Sequence, residues 1–140
     1  METIKKTAVA WGVGSASAGE IDAIGIVAAT RLAMRRALES SHFQPDALLI
    51  DSLVWPEMKL PQLSIIKGDT LSLSIAAASI LAKVWRDEHM RQLEAQYPPY
   101  GFARHKGYGT ARHHAALKQY GICAEHRRTF APIRKLLGEA

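Results

Sequence analysis

The chain has 140 residues and a mass of 15.4 kDa, the size of one domain on the usual scale of about 100–200 residues. A hydrophobic fraction of 48% with 22% charged residues excludes wholesale disorder, and no apolar run approaches the ~18 residues that span a bilayer. The net charge of +5 favours a polyanionic partner over a membrane core, and a single cysteine, Cys123, excludes an internal disulfide framework and suits a reducing compartment.

In chain order, the opening METIKKTAVAWGVG lacks the apolar core and cleavage site of a signal peptide, so a soluble cytoplasmic chain is expected. Residues 7–16 (TAVAWGVGSA) predict a strand. Ser17 and Glu20 stand at capping-box spacing, and Ile21, Ile24, Ala28 and Leu32 recur at helical spacing, predicting a helix to about Ser40. Pro45-Asp46 marks a turn before ALLID (47–51), a short apolar strand that ends in a carboxylate. LSIIK (63–67) reads as a second strand, ended by Gly68-Asp69. The stripe Ala76, Ile80, Val84, Met90, Leu93 and Tyr97 predicts a long helix over 73–96, which Pro98-Pro99 stops. Three glycines in 100–110 predict a loop, and 111–120 predicts a last helix with Gly121 as its stop. The pattern is α/β in one domain, residues 1–140.

Charge is divided unevenly. Residues 1–70 hold seven Lys and Arg against eight Asp and Glu, and residues 71–140 hold eleven against five. Four of the six histidines, His105, His113, His114 and His126, lie after Tyr97, where most of the basic excess falls. A basic lobe of this kind suits nucleic acid, because Lys and Arg gain affinity by displacing phosphate counterions; a solvated basic surface with no particular partner is the plainer alternative.

Two carboxylates stand out. Asp51 ends one apolar strand and Asp69 follows another, so neighbouring strands leaving a sheet at the same end would bring the two side chains together. Paired carboxylates repel unless a cation lies between them, and hard oxygen ligands select magnesium or manganese over zinc. Alternatively, Asp51 opens a turn and Asp69 caps the next helix through Thr70 and Leu71. Zinc finds only the pair Cys123 and His126, half of a structural set, and no nucleophile elbow, Walker loop or complete dinucleotide fingerprint occurs.

Four strings in order, EIDAIGI (20–26), PDALLIDS (45–52), IIKGDTLSLSIAAASILAKVWRD (65–87) and YGFARHKGYGTARHHAAL (100–117), with HRRTFAP (126–132) after them, resemble the ribonuclease HII family. The resemblance implies a ribonuclease H-like mixed sheet flanked by helices. It implies an endonuclease that hydrolyses the RNA strand of RNA–DNA hybrids, or cuts at ribonucleotides embedded in DNA, with Mn2+ or Mg2+. Asp51 resembles the third acidic ligand of the family and Asp69 the fourth, which makes both catalytic and metal-binding. Tyr108 resembles the tyrosine that packs on a sugar beside the ribonucleotide; a half-buried loop anchor is its other reading. Lys67, Lys83, His105 and Lys106 suit phosphate contacts, with an ion pair between Lys83 and Asp87 standing beside that role. Ser52 departs from the glycine usual after the strand-end aspartate. No D-E-x-G-R-G string, the mark of the family's first strand, occurs, so a domain incomplete at its N-terminus is expected, monomeric and inactive by itself. The alternative is a non-catalytic remnant that binds hybrid or duplex through its basic half.

Overall fold

The computed structural model describes residues 1–138. Its elements, in order, are α1 (Glu2–Thr7), α2 (Ala18–Ile24), α3 (Ile26–Ser41), β1 (Leu48–Asp51), β2 (Gln62–Ile65), α4 (Gly68–Leu71), α5 (Leu73–Gln96), a 3-10 turn (Pro98–Tyr100), α6 (Phe102–His105), α7 (Ala111–Tyr120) and α8 (Ala131–Leu136). None of these helices is long and apolar enough to cross a membrane. The chain enters each of two compact units twice. Residues 1–15 and 31–85 form the first, and residues 16–30 with 86–138 form the second.

The first unit holds the sheet. Within the described residues it is a parallel pair, with Leu48 opposite Gln62 and Asp51 opposite Ile65. Ile50, Trp55, Ile75 and Leu81 are its buried apolar side chains. The Gln62 amide fixes the connection between the strands: its Oε1 accepts from Trp55 N and its Nε2 donates to Trp55 O, both at 2.8 Å. This satisfies buried backbone that no ladder reaches.

The predicted strand over 7–16 is not formed. Its first residue ends α1, and residues 8–16 run without strand pairing. Their carbonyls are taken by α3 instead: Ser40 Oγ donates to Val13 O at 3.2 Å and Arg36 Nη1 donates to Ser15 O at 2.7 Å. The apolar run reads as strand because both arrangements favour small and branched residues.

The capping box is present in full, with Glu20 N donating to Ser17 Oγ at 3.2 Å and Ser17 N to Glu20 Oε2 at 2.8 Å. The helix it starts is shorter than the periodicity suggests. Gly25 adopts φ 80°, outside the helical region, and splits the predicted helix into α2 and α3.

In the second unit, Leu93, Tyr100, Phe102, Ala116, Leu117 and Ile133 form one core cluster. The Tyr100 and Phe102 rings stack at 5.4 Å. The α5 bounds match the prediction, yet its buried residues are Ile75, Leu81 and Leu93, while Ile80 of the predicted stripe is 44% exposed. Periodicity locates a helix but averages over the different neighbours along 24 residues. The 100–110 segment is not wholly loop either. Phe102 and His105 are buried in α6, so packing overrides the glycine content around it.

Candidate metal and nucleic-acid site

The parallel pairing sends both strands out of the sheet at the same end, which is the arrangement that brings Asp51 and the turn before Asp69 together. Asp51 Oδ1 accepts from Gly68 N at 2.9 Å and from Ser52 Oγ at 2.9 Å. A direct bond therefore joins the Asp51 carboxylate to the residue that precedes Asp69. Both of these hydrogen bonds fall on Oδ1, and the side chain lies at the surface. Asp69 stands in the first turn of α4, exposed, and α4 has no side-chain cap. Thus Asp69 does not play the helix-capping part.

The backbone around this bond is unusual. Ser52 has φ 55° and Lys67 φ 54°, both left-handed. That explains why a glycine suits the position of Ser52: the turn out of β1 demands a conformation that costs a side-chain-bearing residue about 1–2 kcal/mol. Thr70 buttresses the second turn, its Oγ1 donating to Lys67 O at 2.8 Å. Lys67 and Lys83 are exposed in the same unit, Lys83 on α5.

The donor chemistry of Asp51 and Asp69 fits a hard divalent cation. Among the described residues, however, no group of three or more His, Cys, Asp or Glu is gathered to hold one. By themselves these two carboxylates do not make a complete cage.

The other candidates lie in the second unit. Tyr108 is 68% exposed, so it is not a half-buried anchor. The Arg86 guanidinium lies 5.6 Å from its ring centroid, and Arg86 Nη2 donates to Lys106 O at 3.0 Å. Sequence reasoning passed over Arg86, whose only signal was a place within the α5 string. Lys106 is left-handed at φ 51°, and its ammonium donates to Ala103 O and, at 3.5 Å, to Asp87 O. His105 is buried, with Nε2 2.7 Å from Tyr100 O. It shapes the loop from beneath instead of presenting a surface to phosphate.

Burial also lowers the pKa of His113 and of His126, and it raises the Cys123 thiol above its ordinary value. The resemblance strings are joined physically here: the Asp22 carboxylate of EIDAIGI accepts from Arg128 N at 2.7 Å, Thr129 N at 3.0 Å and Thr129 Oγ1 at 2.6 Å of HRRTFAP. These hydrogen bonds, those from the Thr129 side chain and backbone foremost, hold its pKa down.

The family model for ribonuclease HII matches residues 1–133. Ribonuclease HII of Myxococcus xanthus is 56% identical over 137 residues, covering 98% of this chain and 47% of that protein. The Desulfitobacterium hafniense protein of the same name is 53% identical over 136 residues, 97% of this chain and 52% of that one. The chain thus spans about half the length of these relatives, and 71% of the ribonuclease HII of Polynucleobacter asymbioticus, to which it is 52% identical. The crystal structure of the ribonuclease H2 from Pyrococcus horikoshii OT3 superposes with a TM-score of 0.63 at 25% identity, over 86% of this chain and 64% of that one, which makes the fold ribonuclease H-like α/β. The chain with the bonded Asp51 turn and the exposed Tyr108 loop belongs to the ribonuclease HII family.

Proposed function

We propose that residues 1–140 supply half of a divalent-metal endonuclease site that hydrolyses RNA in RNA–DNA hybrids or at single ribonucleotides in DNA. The observation that carries this reading is the 2.9 Å bond from Gly68 N to Asp51 Oδ1. It ties two carboxylate-bearing turns together at the carboxyl ends of parallel strands, where open α/β sheets bind ligands.

In this reading Asp51 and Asp69 are catalytic metal ligands for Mn2+ or Mg2+. The bound cation supplies an activated water and charge stabilisation at the leaving oxygen. The chain's own part is orientation. Gly68 N and Ser52 Oγ both engage Oδ1 and so fix the plane of the Asp51 carboxylate. In the second unit Tyr108 packs on a sugar and Lys106 contacts phosphate, with the buried His105 serving that contact only through the backbone it holds; in the first unit Lys67 and Lys83 contact phosphate. Action in the cytoplasm as a monomer completes the proposal, in keeping with the lone Cys123.

Two carboxylates hold metal weakly, and a displacement of about 1 Å costs on the order of a hundredfold in rate. A polypeptide of residues 1–140 is expected to show no measurable cleavage of a duplex containing one ribonucleotide, with either cation. Extended at its N-terminus by a segment bearing Asp-Glu and Gly-Arg-Gly, it is expected to cut. In that longer protein Asp51→Asn should abolish cleavage and leave duplex affinity within about twofold, since it removes a metal ligand and no basic contact. Cleavage that survives Asp51→Asn would refute the site. An extended protein that binds duplex but never cuts would favour the non-catalytic binding remnant.

A further inference from the structure

Beneath the Tyr108 loop lies a run of buried polar groups that the proposed chemistry leaves unused. His113 and His126 are 6% and 8% exposed, and their Nε2 atoms are 3.1 Å apart. His113 Nδ1 lies 3.0 Å from Tyr108 O, and His126 Nδ1 lies 3.1 Å from both Cys123 N and Cys123 Sγ. The two ends of this chain are backbone groups whose roles are fixed, because a carbonyl can only accept and an N–H can only donate.

Those ends determine every proton between them. Tyr108 O requires a proton on His113 Nδ1, which leaves His113 Nε2 bare when the ring is neutral. The only way to bridge the 3.1 Å between the rings is then an N–H on His126 Nε2. His126 Nδ1 is consequently bare, and Cys123 N–H donates to it. A further proton on either ring sets two N–H groups against each other. His105 completes the support: its ring stacks on that of His113 at 4.3 Å, its carbonyl accepts from Tyr108 N at 2.9 Å, and its Nδ1 accepts from Gly107 N at 3.2 Å. Tyr108 O also accepts from Thr110 N at 2.8 Å. Both backbone groups of Tyr108 are thereby held from the core while its ring is presented to solvent.

We propose that His126 and His113 are positioning residues, a tautomer-locked hydrogen-bond chain from Cys123 N–H to Tyr108 O that holds Tyr108 in place for a bound nucleotide sugar. The functional half of this inference rests on the reading of Tyr108 as the sugar-packing residue. An apolar filling would pack the same space, but it would leave Tyr108 O without its side-chain donor, and rigid support is what a binding group at a glycine-bounded turn requires.

Nitrogen-15 NMR on the unmodified 140-residue chain at neutral pH tests the lock directly. The expected spectrum has His113 protonated at Nδ1 only and His126 at Nε2 only; the opposite tautomer of either, or a charged ring, overturns the proposal. His126→Phe keeps an aromatic ring and removes the donor, so the Thr110 amide should exchange with solvent about tenfold faster, the loss of one hydrogen bond. His113→Asn places an amide donor where Nδ1 stood and should keep exchange slow, whereas His113→Phe should not. Equal exchange in the two His113 variants overturns the role. Binding of a DNA duplex containing one ribonucleotide supplies the functional arm: His126→Phe should weaken it about tenfold, and this effect should vanish in a Tyr108→Ala background. An undiminished effect there shows that the chain does not act through Tyr108 and overturns the proposal. If Tyr108→Ala alone leaves affinity unchanged, the sugar-packing reading falls and takes the functional half with it, while the tautomer and exchange results still decide the positioning.

Discussion

Ser52, Lys67 and Lys106 share a feature that connects them to the chemistry proposed for their loops. Each has a left-handed backbone without being glycine, and His42 is the one other such residue among those described. Such conformations cost about 1–3 kcal/mol each and persist where surrounding structure holds them, often at functional sites. At Lys106 the cause is visible: the bend lets Arg86 reach its carbonyl and turns its ammonium back to Ala103 O and Asp87 O. An ammonium has three protons, and two carbonyls leave one for a phosphate. Lys106→Ala is therefore expected to flatten the dependence of hybrid affinity on salt by about one unit in a log–log plot. An unchanged slope would mean that Lys106 serves the loop and not the nucleic acid.

At the scale of elements, residues 8–16 approach α3 closely. A Cβ at Gly14 would lie 2.1 Å from Ala33 O and 2.5 Å from Ala37 N, and one at Gly12 would lie 2.2 Å from Ala37 O. These neighbours are helix backbone and cannot yield, so the segment can lie against α3 only where it has no side chain. Gly14→Ala should accordingly destabilise the chain by about 2 kcal/mol or more through overpacking, read as a lower midpoint in urea. Loss of the Arg36 and Ser40 bonds to this segment should accompany it, as faster exchange in residues 8–16. A variant with an unchanged midpoint would show that the segment is not seated on α3.

At the scale of the whole molecule, buried neutral histidines make stability depend on pH. Burial comes first among the causes that hold His113 and His126 below their ordinary value, followed for His126 by the neighbouring His113; Tyr108 O acts in the opposite sense on His113. Above the ordinary histidine value of about 6.5 both rings are neutral folded and unfolded, and the stability they permit is fully present. As pH falls through that value the unfolded chain takes up protons first, so stability declines until the lower folded-state values are passed. The melting temperature should thus fall between pH 7.5 and pH 5.5, and less steeply in a protein carrying both His113→Asn and His126→Phe. Equal slopes in the two proteins would assign the acid sensitivity to other groups. Leu49 and Leu63, opposite each other in register, are 49% and 58% exposed, an apolar pair open to solvent on the sheet.

By itself the sequence determined the local features with short-range causes. The Ser17–Glu20 capping box, the α5 bounds, α7 with its Gly121 stop, the two strands and the carboxylate at the end of LLID all follow from spacings of a few residues. The long strings around Asp51, Asp69 and Tyr108 also carried the family, since a string of twenty residues is far more specific than any pair of carboxylates. Tertiary structure alone decided the rest. Residues 8–16 became a helix-packed segment because α3 side chains took their carbonyls, and no local preference encodes that competition. Asp51 met Gly68 N because the two strands pair in parallel, which depends on register between segments far apart in the chain. The joining of His113, His126 and Tyr108 arose in the same way: each histidine has an ordinary helical or loop context, and only the folding of α7 and the turn after Cys123 around one core brings their ring nitrogens within hydrogen-bonding distance.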